Sequence, residues 1–138
     1  MKKALGLIVV AALSLTGCSM LPGNTGHFEE TFTDYASAES GWRNGTIPSW
    51  IPDELSRVRS RAMTDGSAAI VEVLTESEIV GDGCTESARI GSPDLGGVWE
   101  PDEFPDEVMH CGDYEIMPVD GGWFGWYERA STQSASSE

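Results

Sequence analysis

Lysine disappears from this chain after residue 3. Of its 8 Lys and Arg, only six arginines lie beyond that point, set against 23 Asp and Glu, so the part from residue 18 onward carries 6 − 23 = −17. A chain this acidic has no basic patch for nucleic acid. An anionic membrane surface repels it unless something pins it there, and in solution the charge keeps it dispersed. Histidine is nearly absent too, with only His27 and His110. His27 stands at the edge of a leading spacer, which leaves His110 as the one acid–base candidate within the folded part. No serine sits in a Gly-x-Ser-x-Gly elbow, and no nucleophile, base and orienting partner are set out by spacing, so no catalytic residue is assigned. Cysteines number three, at 18, 84 and 111. With the two histidines they form neither CxxC nor HxxxH, which removes the ordinary zinc patterns. Gly81-Asp82-Gly83 lacks the third glycine and the strand-to-helix setting of a dinucleotide fingerprint. No cofactor and no metal is expected.

What is present begins at the N-terminus. Lys2 and Lys3 precede an apolar run from Ala4 to Leu13, followed by Leu15-Thr16-Gly17-Cys18. The run is far shorter than the ~20 residues that cross a bilayer, and its order of parts is that of a secretory signal peptide. The final four residues resemble the bacterial lipobox. That resemblance implies a diacylglyceryl group on the Cys18 sulfur, cleavage before Cys18, and a chain held at the extracytoplasmic face of the cell membrane by two acyl chains, enough for stable anchoring. Residues 1–17 are then the signal and 18–26 a lipidated tether of Ser, Pro, Asn and Gly. Removing the signal leaves 138 − 17 = 121 residues, suited to one domain and too few for a two-lobed solute-binding protein. With Cys18 lipidated, Cys84 and Cys111 are an even pair in an oxidising compartment and are expected to form a disulfide. Two free thiols or half of a metal site are the alternatives.

The globular part, 27–129, opens with Phe28, Phe32, Tyr35 and Ala36 at helical spacing, which predicts a short N-terminal helix. Asn44-Gly45 is a turn signal, and Pro48 and Pro52 impose an extended path around Trp50. Arg57 to Met63 alternates, Asp65-Gly66 supplies a turn, and Ala69 to Leu74 is β-branched, so the stretch reads as a hairpin. Its first arm aligns Arg57, Arg59 and Arg61 on one face, there to pair with nearby carboxylates or to meet an anionic partner. Glu76 to Val80 suggests a helical turn, Ala88 to Ile90 a short strand, and Gly91 to Glu107, with three prolines, a long ordered loop. Tyr114 to Val119 and Trp123 to Arg129 form a second hairpin about Asp120-Gly121-Gly122. Its aromatics Trp123, Trp126 and Tyr127 are either core or a stacking surface. Residues 130–138 read as a disordered tail.

These elements predict an α+β domain: a mainly antiparallel sheet of four or five strands, a short N-terminal helix and a disulfide-stapled loop, with an all-β sandwich as the alternative. The part from Trp50 onward, with Trp50-Ile51-Pro52 ahead of a strand pair and Cys84 with Cys111, is similar to small lipoproteins of high-GC Gram-positive bacteria. That resemblance implies no activity. The expectation is a membrane-anchored, non-catalytic module that binds an envelope protein or ligand. A cation-binding acidic domain, using the carboxylates between Asp94 and Asp113, and a small envelope hydrolase using His110 are the alternatives.

Overall fold

The computed structural model describes residues 26–97 and 99–129. Seven strands and one helix follow in order: β1 His27–Phe32, α1 Tyr35–Gly41, β2 Arg57–Met63, β3 Ala68–Leu74, β4 Cys84–Ala88, β5 Glu107–Cys111, β6 Tyr114–Val119 and β7 Gly122–Glu128. All seven strands join one antiparallel sheet in the order β1-β2-β3-β7-β6-β5-β4. The α+β expectation of four or five strands is therefore wrong. The described chain is essentially all-β with one seven-residue helix, and a single sheet takes the place of the two-sheet alternative.

Both hairpins fall where turn chemistry put them. β2 and β3 meet at Asp65-Gly66, and Gly66 has φ +77°, a left-handed conformation that costs glycine little. The errors lie elsewhere. The helical period over Phe28–Ala36 is split: residues 27–32 are β1, and the helix starts only at Tyr35. Phe28 and Phe32 stand at i and i+4, but even-numbered positions also share one face of a strand. Here Phe28, Glu30 and Phe32 face Ala62, Ser60 and Val58 of β2. The break comes at Asp34, whose side chain accepts a 2.7 Å bond from the Ser37 backbone N–H and caps α1. Glu76–Val80 forms no helix, and the strand expected at Ala88–Ile90 lies earlier, at Cys84–Ala88.

Strand alternation gives the sheet two unlike faces, each covered by loop. On the first, Val58, Val71, Val73, Cys111 and Ile116 carry Ala38 of α1 and Trp42, Trp50 and Ile51 from the following segment. On the second, Ile70, Val108, Met117, Phe124 and Trp126 are covered by Leu95, Trp99 and Phe104. The long loop between β4 and β5 is thus ordered as expected. Its own apolar residues fasten it, and Phe104 meets Trp126 edge-on at 5.1 Å. Arg89 supports it from the side, its guanidinium donating to Pro105 O, Gly91 O and Ser92 Oγ.

Candidate functional site

Cys84 and Cys111 form a disulfide with an S–S distance of 2.03 Å. The two cysteines stand directly opposite one another in β4 and β5. The bond is therefore a cross-strand link at the sheet's edge, and the loop it closes is held mainly by its own side chains. Cys18 and residues 130–138 lie outside the described residues.

The arginine row is real and already engaged. Arg57 Nη2 and Arg59 Nε lie 3.1 and 2.9 Å from Glu72 Oε1 on β3. Arg61 Nη1 is 3.6 Å from Glu29 of β1, and the Arg59 guanidinium stacks 4.7 Å over Trp99. The row ties strands together and clamps the covering loop. Trp126 and Tyr127 are buried at 1% and 8% exposure, so the aromatic arm is core rather than an open platform. His110 Nε2 sits 3.0 Å from Ala88 O on an exposed edge. Among the described residues, no group of three or more His, Cys, Asp or Glu converges on a point where a cation would be held.

The acidic loop contains one electrostatic conflict. Burial raises the Glu100 carboxyl above its ordinary value, Asp94 repels it further, and Arg61 offsets this in part. A raised carboxyl in the folded state means that the fold binds more protons there than the unfolded chain, so stability falls as pH rises through that range. Glu100→Gln should raise the melting temperature at pH 7, by the equivalent of under about 0.5 kcal/mol after solvent screening. The gain should vanish in a melt run below the carboxylate range. A variant no more stable than wild type at pH 7 would contradict this.

The residues with open space before them are elsewhere. A cleft of about 530 Å³ opens at the end of the sheet where β1 begins, between the Asn44–Trp50 segment, the β2–β3 turn and the β5–β6 turn. This is within the size range of small-ligand sites. Asn44 Nδ2 donates to Tyr127 Oη at 2.9 Å, and Tyr127 Oη in turn donates to Gly66 O at 2.9 Å. This relay fastens three separate segments at the cleft wall. Tyr114 packs edge-on between Tyr127 at 5.0 Å and Trp50 at 5.6 Å. Burial pushes the Tyr114 phenol well above its ordinary value, with Tyr127 and Asp113 adding to the shift, so the hydroxyl stays protonated. Trp50 Nε1 is buried without a hydrogen-bond partner among the described residues. At the rim, Arg129 Nη2 and Asp113 Oδ2 lie 3.7 Å apart and offset each other's charge.

Sequence reading reached the parts of this cleft separately. Asn44-Gly45 registers as a turn, Tyr114 as the start of a strand and Tyr127 as an aromatic of the second hairpin. Their convergence comes from the order of the sheet, which no local pattern encodes. No known protein family, curated protein or solved structure matches this chain.

Proposed function

We propose that the protein is a lipid-anchored, non-catalytic binding module on the extracytoplasmic face of the cell membrane, with the Asn44–Tyr114–Tyr127 cleft as its ligand site. The observation that carries this reading is the order of Lys2-Lys3, the apolar run Ala4–Leu13 and Leu15-Thr16-Gly17-Cys18. The Cys84–Cys111 disulfide supports it, because such bonds persist in oxidising compartments. The cleft supports the binding part: its lining carries an amide, hydroxyls and aromatic rings that can hydrogen-bond and pack against a ligand.

The anchor makes a demand that only a cysteine sulfur meets, since neither Ser nor Ala can form the thioether to diacylglycerol. Full-length protein should enter the detergent phase on phase separation and stay with membranes through a high-salt wash, because salt screens charge but not acyl burial. Cys18→Ala should yield an unlipidated precursor with residues 1–17 still attached, visible as an intact mass without lipid. Wild-type protein recovered from the medium with another N-terminus and no lipid mass would overturn the anchor.

A further inference from the structure

The chemistry of the cleft narrows what it can hold. Its charged pair, Arg129 with Asp113, is internally neutral, and the chain from residue 18 on carries −17, so an anion finds no uncompensated cation. A cation finds only one carboxylate, already paired. A purely apolar ligand would strip water from Asn44, Thr46, Ser49 and Tyr114 and return no hydrogen bond, which costs about 1–3 kcal/mol for each polar group left unsatisfied.

What fits is a neutral molecule that is both donor and acceptor along its edge and apolar on its face. The half-buried Tyr114 ring lines the cleft, and its contacts with Tyr127 and Trp50 are edge-on. Its hydroxyl, like those of Thr46 and Ser49, can donate or accept. The Asn44 amide is oriented by its bond to Tyr127, leaving its oxygen and one hydrogen for a ligand. We propose that this cleft binds a neutral saccharide unit, with hydroxyls bonded to Asn44, Thr46 and Tyr114 and a sugar face against the Tyr114 ring. The proposal rests on the reading of the cleft as the protein's ligand site.

The location suits such a ligand. Thr64 N–H donates to Gly26 O, and Gly66, two residues further along the same turn, accepts from Tyr127 at the cleft. The cleft therefore opens close to where the tether joins the sheet. Residues 19–25 can reach no more than about 25 Å at full extension, some 3.3–3.6 Å per residue. An anchored molecule holds the cleft near the bilayer surface, within reach of a free envelope oligosaccharide or the headgroup of a neutral glycolipid.

The test uses the full lipidated chain, isotope-labelled, in detergent micelles, followed by amide and side-chain chemical shifts. The probes are chitotetraose, mannotetraose and maltotetraose, and separately vesicles carrying a monoglucosyl diacylglycerol; tetra-alanine tests a neutral peptide. At least one sugar should shift the resonances of Asn44, Thr46 and Tyr114. Tyr114→Phe, which keeps the ring, should weaken that binding about fivefold, and Thr46→Val should weaken it independently. Asp120→Asn, in the β6–β7 turn at the opposite end of the sheet, should leave it unchanged. A response to the vesicles alone identifies a glycolipid headgroup as the source, and a response to the tetrasaccharides identifies a free glycan. Cleft shifts from tetra-alanine alone would keep the cleft as the ligand site and overturn the saccharide. Silence from every probe, or sugar shifts confined to residues outside the cleft, would overturn both while leaving the Cys18 partition result untouched.

Discussion

Trp50→Ala is expected to cost about 3–5 kcal/mol in urea unfolding, the range for emptying a buried tryptophan site. Against a total of about 5–15 kcal/mol for a domain of this size, that is a large share of the stability. Trp50 is 1% exposed and lies across the first face of the sheet. Its fit depends on a missing side chain opposite: a Cβ at Gly125 would stand 2.6 Å from Trp50 Cζ2, 3.0 Å from Cη2 and 3.3 Å from Ile116 Cγ1. The sheet has a flat place at Gly125 because the indole occupies it. Gly125→Ala alone should therefore cost about 1–3 kcal/mol by overpacking. In the Trp50→Ala background the added methyl would enter vacated space. The double variant should then be less destabilised than the sum of the singles, with a coupling of about 1 kcal/mol or more. Strict additivity would mean that Gly125 is glycine for a reason other than the indole.

The same pair shows where the sequence stopped being legible. Trp50 between Pro48 and Pro52 was expected to follow an extended path, but the segment turns there: Ile51 N–H donates to Pro48 O, closing a turn, and Val80 N–H donates to Trp50 O. Nothing local could say that the indole lies on Gly125, which is 75 residues away. The two hairpins were readable because their turns carry the required chemistry and their arms pair within a few residues of each other. The edge strands were not. β1 has residues spaced to satisfy a helix and a strand alike. β4, Cys84–Ala88, is largely exposed and shows no apolar alternation, because an edge strand covered on neither face needs none. Short Glu107–Cys111 fell in the shadow of a proline-rich stretch. Four or five strands became seven at the margins of the sheet, where pairing is set by neighbours rather than by composition. The arginine row was read correctly as a face. Its partners, Glu72 across the hairpin and Glu29 on the unrecognised β1, needed the strand register before they could be named.

Loss of the disulfide should act in two separable ways. Cys84→Ser with Cys111→Ser opens a cross-link spanning 27 residues. Chain entropy alone sets that at about 3–4 kcal/mol of global stability, through the greater freedom of the unfolded chain. The second effect is local. β4 pairs with β5 on one side only and is the sheet's last strand. It buries little, so without the covalent link the strand that holds it contributes mostly backbone hydrogen bonds exposed to water. Such an element opens at far lower free energy than the core. Native-state hydrogen exchange should find the β4 amides, and those of β5 facing them, losing protection beyond the global loss. The amides of β2, β3 and β7, packed on both faces by the Trp50 and Phe124 clusters, should fall only with global unfolding. Reduction of the wild-type bond should reproduce the same pattern without any mutation, which separates the link itself from the serine side chains. If protection instead falls uniformly across the sheet, the bond acts on the unfolded chain alone and β4 is held by its pairing with β5. If β4 loses protection while the global free energy is unchanged, the chain-entropy account fails and the bond serves only to close the edge.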